Sequence, residues 1–190
     1  MTQGLPLFFG ASHFPGSLNI GLGSGLFSTW VGFLVPGNAP IALVAGSAEA
    51  ALEARLDLAR IGFDNIAGWI RADALRETQQ LSQLSVCDLR AGLQSGYAPL
   101  VLDVRTSGEW AAGHIPGASH FPLTKLAGNL AQLPSDTRLA VVCGSGYRSS
   151  IAASLLRARR FTRVQNVMGG MAAFQETKCP DWQAADLVYD

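Results

Sequence analysis

Residues 139–150 read L-A-V-V-C-G-S-G-Y-R-S-S. A short apolar run leads directly into a cysteine, two glycines, an arginine and serines. Apolar runs of this length, bounded by turn residues, are typical of buried strands in parallel sheets. We therefore predict a strand over Leu139–Val142, a glycine-containing loop that begins at Cys143, and a helix over residues 149–160.

The sequence on both sides of this stretch alternates in the same way. Further strands are predicted over residues 99–104 and Val164–Val167, and helices over residues 84–93, 106–112, 123–133 and 171–175. Strands that alternate with helices imply a parallel sheet covered on both faces. The predicted fold class is α/β, with a parallel central sheet flanked by helices.

A weaker copy of this plan precedes it. H-F-P-G-S-L-N-I-G-L at 13–22 is similar to H-I-P-G-A-S-H-F-P-L at 114–123, and I-A-L-V-A-G-S at 41–47 is similar to L-A-V-V-C-G-S at 139–145. Because both order and approximate spacing are kept, we predict two repeats of one supersecondary plan. The first repeat is incomplete, since little sequence precedes its first motif.

The first repeat also lacks the reactive side chains of the second. Ala45 stands in the position of Cys143, and Ala50 in the position of Arg148, ahead of a helix predicted over residues 51–60. We predict a truncated, inactive domain over residues 1–75 and an active domain over residues 76–190. A polar and charged linker is expected over residues 71–85.

Composition excludes several classes of function. The chain has 14 basic and 14 acidic residues and no net charge, which argues against a nucleic-acid partner. Residues 16–35 are uncharged and long enough to cross a bilayer, but they hold five glycines and three serines. We expect buried strands and apolar loops there, and no membrane span.

The three cysteines are Cys87, Cys143 and Cys179. Their spacing fits neither a disulfide framework nor a metal site, and an odd count without an export signal predicts a cytoplasmic protein. No metal or cofactor is expected. Cys87 is predicted to lie in the core. Cys179 is either an inert residue or an exposed resolving thiol that receives sulfur from Cys143.

The loop after the second predicted strand suits a nucleophilic thiol. A strand that ends in Cys143, with a helix starting near Ser149, creates a concave nest of backbone amides at the positive end of the helix. Gly144 and Gly146 allow the backbone to turn its amides inward. Arg148 adds a fixed cation, and this environment favours the thiolate, which is the reactive form.

Five motifs spread over residues 82–178 resemble the rhodanese family. They are L-D-V-R at 102–105, G-E-W at 108–110, G-H-I-P-G-A at 113–118, C-G-S-G-Y-R-S at 143–149 and G-G at 169–170. The resemblance implies that Cys143 accepts a sulfane sulfur from a donor, becomes a persulfide and passes the sulfur to a thiophilic acceptor. The donors implied are thiosulfate or a small persulfide such as glutathione persulfide, and the acceptors are thiols or cyanide.

The resemblance also assigns roles to individual residues. Arg148 would steer an anionic donor, Asp103 and Arg105 would support the pocket, and Glu109 and His114 are interpreted as structural. The persulfide would be held by the active-site loop, comprising Gly144, Ser145, Gly146, Tyr147, Arg148 and Ser149.

The first repeat resembles the inactive rhodanese repeat of proteins in which such modules follow a metallo-β-lactamase-like sulfur dioxygenase domain. The motifs S-T-W-V-G-F-L-V-P at 28–36 and I-G-F-D-N-I-A-G at 61–68 carry this likeness. The metal-binding motif of such a domain does not occur in this sequence. The chain is therefore either a piece of a longer protein or a stand-alone remnant, and the dioxygenase would be a further domain or a partner.

Two alternatives to sulfur transfer remain at this point. Cysteine phosphatases have a similar loop with five residues between cysteine and arginine, whereas four residues, 144–147, separate them here. The shorter loop favours a single sulfur over a phosphoryl group. The other alternative is a docking or regulatory module with little turnover, in which the first repeat, without a charged residue over positions 1–48 if His13 is neutral, binds a partner or forms a homodimer.

Overall fold

The computed structural model describes residues 12–179. These residues form two compact units. One unit comprises residues 12–15 and 19–80, and the other comprises residues 16–18 and 81–179.

The first unit contains two helices and two strands. They are α1 (Phe27–Leu34), β1 (Ile41–Ala45), α2 (Ala48–Ala59) and β2 (Ile66–Arg71), with short 3-10 turns at Leu22–Ser24 and Ala72–Ala74. The strands pair in parallel, so that Leu43 lies opposite Trp69. Ser47 caps α2 by accepting a 3.2 Å hydrogen bond from the Ala50 amide. The core of this unit consists of Phe27, Val31, Ala54, Leu58 and Phe63.

The expectation of strands and loops over residues 16–35 was wrong, because α1 occupies its second half. Phe27, Val31 and Leu34 are the buried residues of this helix, and their spacing places them on one helical face. Because residues 16–35 contain no charged side chains, the sequence did not distinguish an exposed polar face from a buried apolar one. Among residues 12–179, no helix has the length and apolar character needed to cross a bilayer.

The second unit is a five-stranded parallel sheet with helices between its strands. The sheet order is β3-β7-β6-β4-β5. The elements are β3 (Ser82–Leu84), α3 (Val86–Ser95), β4 (Leu100–Asp103), α4 (Ser107–Ala111), β5 (Ser119–His120), α5 (Leu123–Asn129), β6 (Leu139–Val142), α6 (Tyr147–Ala158), β7 (Val164–Val167) and α7 (Gly170–Glu176), with a 3-10 turn at Leu130–Gln132. This architecture confirms the predicted α/β class.

The central strand β6 explains the apolar run from which the prediction started. All four of its residues are fully buried, because α/β sheets of this kind are covered on both faces. Asp103, at the end of β4, lies opposite Val142, at the end of β6. The segments that follow these two strands therefore leave the sheet side by side. In open α/β sheets, this carboxyl edge is where ligands bind.

The cysteine predictions need correction. Cys87 and Cys179 form a disulfide with their Cα atoms 5.4 Å apart, so Cys179 is not a free resolving thiol. Cys87 is half-buried at the start of α3 and is not part of the core cluster. The disulfide also removes the argument for a reducing compartment that rested on cysteine count. The two cysteines are 92 residues apart in sequence, and only the packing of α3 near the end of α7 brings them together.

Candidate active site

Cys143 lies at the carboxyl end of β6, and its side chain is buried within the following loop. Its Sγ accepts a 3.1 Å hydrogen bond from the Gly146 amide. The Ser149 hydroxyl lies 3.4 Å from Sγ and donates its own hydrogen to the Gly146 carbonyl, 3.2 Å away. Ser149 is therefore oriented to accept a hydrogen bond from the thiol.

The positive end of α6 faces this sulfur. Gly146 is the N-cap residue of α6 and has φ of +102°, a conformation that favours glycine. No side chain caps the first turn of the helix. The first amides of a helix have no partners within the helix, and they carry its partial positive charge. An anionic sulfur on Cys143 is stabilised at this position, whether it is a thiolate or a persulfide.

The short helix α7 supports the loop from the other side. The Met171 amide donates to the Cys143 carbonyl at 2.7 Å, and the Ala172 amide donates to the Gly144 carbonyl at 2.9 Å. Gly170 has φ of +59°, and a Cβ at this position would overlap the Cys143 carbonyl oxygen. The G-G pair, interpreted from the sequence only as a motif, is required by this close approach of two backbones.

Arg148 is held by Glu109. Its two terminal nitrogens donate to the two carboxylate oxygens of Glu109 at 2.7 and 2.6 Å. These hydrogen bonds lower the pKa of the Glu109 carboxyl to about 2 and raise the pKa of Arg148. Thr106 forms a capping box with Glu109 at the start of α4, which fixes the position of the carboxylate.

The pairing of Glu109 with Arg148 was not predicted from the sequence. Glu109 was interpreted as structural, and Arg148 was assigned to an anionic donor. The sequence carries no signal for this pairing, because it depends on β4 and β6 being neighbours in the sheet, which brings α4 and the loop after β6 together.

The predicted pocket-support residues form a second, buried ion pair. Arg105 donates to the Asp103 carboxylate from Nε and from a terminal nitrogen, with distances of 2.7–3.0 Å, and also to the Gly113 carbonyl at 2.8 Å. His114 stacks on Trp110 with ring centroids 3.5 Å apart, in keeping with a structural role. These residues fix the segment between β4 and β5.

The remaining loop residues differ in exposure. Ser145 is exposed, whereas Gly144 and Tyr147 are half-buried. In the first unit, Ala45 ends β1, and the loop that follows it contains neither cysteine nor arginine.

Comparison with known proteins supports this description of the second unit. The model of the rhodanese-like domain matches residues 85–177. A sulfurtransferase of Allochromatium vinosum is 33% identical over 81 residues, which are 43% of this chain and 76% of that protein. The thiosulfate sulfurtransferase GlpE of Pseudomonas entomophila is 33% identical over 78 residues, which are 41% of this chain and 72% of that protein.

Other relatives are much longer than the matched region. The probable adenylyltransferase/sulfurtransferase MoeZ of Mycobacterium tuberculosis is 29% identical over 123 residues, and the match spans 64% of this chain but only 31% of MoeZ. Among solved structures, a rhodanese-like domain protein from Staphylococcus aureus aligns with a TM-score of 0.49 and 26% identity, covering 58% of this chain and 99% of that one.

Taken together, the second unit has the α/β fold of a rhodanese-like domain, with a cysteine loop at the carboxyl edge of its sheet. The chain belongs to the rhodanese family.

Proposed function

We propose that the protein is a sulfurtransferase that carries a sulfane sulfur as a persulfide on Cys143. The observation that supports this most directly is the position of Sγ, 3.1 Å from the Gly146 amide at the uncapped start of α6. The two described partners of Sγ are an amide and a hydroxyl, and neither is a general base. A thiol can react in this setting because the helix end and the amide stabilise its anion, whereas a serine could not.

The reaction has two steps, each of which conserves atoms and charge. The Cys143 thiolate attacks the outer sulfur of the donor, a new S–S bond forms, and the S–S bond within the donor breaks. Thiosulfate releases sulfite with the electron pair of that bond, and a thiol persulfide releases a thiolate. In the second step an acceptor, cyanide or a thiolate, attacks the outer sulfur and regenerates the Cys143 thiolate.

The donors that we propose are thiosulfate and low-molecular-weight persulfides such as glutathione persulfide. The proposed acceptors are cyanide and thiols. All three of the relatives described above carry sulfurtransferase in their names, and that of Pseudomonas entomophila is named for thiosulfate, which supports this substrate class.

For the first unit, we propose a degenerate rhodanese repeat. Its order β1–α2–β2, with parallel strands, corresponds to β6–α6–β7 in the second unit. We propose that this unit serves as a docking surface, for a second copy of the chain or for a metallo-β-lactamase-like sulfur dioxygenase. Exposed apolar side chains support this, since Phe33 and Leu52 are each 57% exposed.

The mass of the intact protein after brief incubation with thiosulfate or glutathione persulfide tests the proposed reaction. We expect a gain of one sulfur that cyanide removes and that Cys143→Ser abolishes. Cys87→Ser/Cys179→Ser is the matched control, and it should still gain the sulfur. A wild-type protein that gains no sulfur but binds vanadate would instead support phosphatase chemistry.

A docking module with little turnover is the second candidate, and the exposed apolar side chains of the first unit favour it. Light scattering of the full chain measures its mass in solution. A concentration-dependent dimer that Phe33→Ser disrupts, combined with poor sulfur turnover, would support this candidate. A monomer with ordinary turnover would contradict it.

A further inference from the structure

Two arginines follow the adjacent ends of β4 and β6, and each is bound by a carboxylate. Arg148 is held by Glu109 through two hydrogen bonds, and Arg105 is held by Asp103. The two positive charges near the catalytic loop are therefore offset by two negative charges. What remains to attract an anion to the loop is the partial charge of the α6 terminus and its amides.

The Arg148–Glu109 pair lies directly against the loop. A Cβ built on Gly144, the residue after the nucleophile, would lie 3.1 Å from a terminal nitrogen of Arg148 and 3.6 Å from a carboxylate oxygen of Glu109. The two side chains are 23% and 36% exposed, so the pair faces solvent beside the loop that holds Cys143.

Both terminal nitrogens of Arg148 therefore already donate hydrogen bonds to Glu109. A bidentate pair with a carboxylate employs the same two nitrogens that would bind the oxygens of an incoming sulfonate. An oxyanion donor must displace Glu109 or bind through the other N–H groups of a guanidinium whose charge the carboxylate already offsets. In either case its binding is weakened relative to a loop with a free guanidinium.

We propose that Glu109 selects the sulfur donor by occupying Arg148, so that the site prefers thiol persulfides to thiosulfate. This inference rests on the proposed sulfurtransferase function and specifies its donor class. Thiosulfate carries two negative charges, and its oxygens lie on the atom bonded to the transferred sulfur. In a thiol persulfide the atom next to the transferred sulfur is an uncharged sulfur bonded to carbon, which needs no cation beside it.

The leaving groups of the two donors also differ in charge, and this difference again favours the persulfide. Thiosulfate releases the sulfite dianion next to Cys143, whereas a persulfide releases a thiolate with one charge. A neutralised arginine stabilises the departing dianion less than a free one would. Glu109 therefore acts on donor choice through Arg148, as a positioning residue.

Glu109→Gln tests this assignment, because it removes the carboxylate charge and keeps the size of the side chain. The readout is the ratio of kcat/KM for thiosulfate to kcat/KM for glutathione persulfide. We expect the ratio to rise on the order of tenfold, mainly through a lower KM for thiosulfate. Glu176→Gln is the matched control, since it removes one exposed carboxylate at the end of α7 and leaves both members of the Arg148–Glu109 pair in place. It should leave the ratio unchanged.

A second measurement uses the wild-type protein and does not depend on any variant folding. If Arg148 is neutralised by Glu109, kcat/KM for thiosulfate should change little with ionic strength, whereas a free guanidinium would make it fall steeply. A steep fall in the wild type, or an unchanged donor ratio in Glu109→Gln, would overturn the inference while leaving sulfur transfer intact. A wild type that takes sulfur from neither donor would overturn both.

Discussion

The backbone amide of Met171 donates a 2.7 Å hydrogen bond to the carbonyl oxygen of Cys143, and this bond ties α7 to the proposed nucleophile. The neighbouring bond from Ala172 to Gly144 repeats the contact one residue further along the loop. The loop is thus fixed through its carbonyl groups by a helix that follows β7. Its conformation depends on how closely that helix can approach.

Gly170→Ala tests this approach. Alanine disfavours the positive φ at this position, and its Cβ would overlap the Cys143 carbonyl oxygen, so α7 must move. We expect a loss of more than about 2 kcal/mol in the free energy of unfolding, measured by urea denaturation, and slower loading of sulfur. Gly128→Ala is the matched control, because Gly128 is in α5 with open space around its Cα. Equal effects of the two substitutions would contradict the role given to Gly170.

Ser149→Ala tests the contact between the hydroxyl and the sulfur. The hydroxyl lies 3.4 Å from Sγ, and once the thiol has lost its proton the hydroxyl can turn from the Gly146 carbonyl and donate to the anion. Its loss should therefore slow persulfide formation by up to about tenfold, the value of one ordinary hydrogen bond. Ser154→Ala is the control, because Ser154 is also buried on α6 but donates to the Ile151 carbonyl. Rates of loading are measured by mass spectrometry. If both variants load equally fast, the hydroxyl has no role in the chemistry.

The sequence predicted those parts of the fold that local pattern determines. The strands β6 and β7 were predicted with their observed bounds, because a buried strand is a continuous apolar run. The strands β3 and β5 were missed. They have three and two residues, and they exist because they pair with β7 and β4 at the two edges of the sheet. No local pattern marks such strands.

The candidate site likewise contains residues that the sequence predicted and partners that it did not. The loop residues were predicted because glycine, cysteine and arginine at one strand-to-helix junction have few structural explanations. The partners of these residues come from distant parts of the sequence, as Glu109 does for Arg148 and Cys87 does for Cys179. Such pairs depend on which strands are neighbours, and that order is not written in the spacing of a single sequence.

The Glu109–Arg148 pair should make stability sensitive to acid. The pKa of Glu109 falls from an ordinary value of 4.5 to about 2 in the folded protein. A lowered pKa contributes stability that is present above pH 4.5 and is lost as the pH falls towards 2. Wild type should therefore lose more stability across this range than Glu109→Gln does, as measured by urea denaturation at each pH. Parallel pH profiles would contradict the ion pair.

The disulfide should stabilise the second unit, because Cys87 and Cys179 close a long loop across 92 residues. Chain entropy gives about 4.6 kcal/mol for a loop of this size. In Cys143→Ser, which leaves only this pair, a phosphine reductant should lower Tm by many degrees. The same reductant should not change the Tm of Cys87→Ser/Cys179→Ser, which is the control. The mass of the reduced protein shows whether the disulfide has been broken. If it has and the Tm of Cys143→Ser is unchanged, the disulfide does not stabilise the unit. The hydrogen bonds from Arg90 to the Phe174 and Thr177 carbonyls would then be sufficient to hold α7.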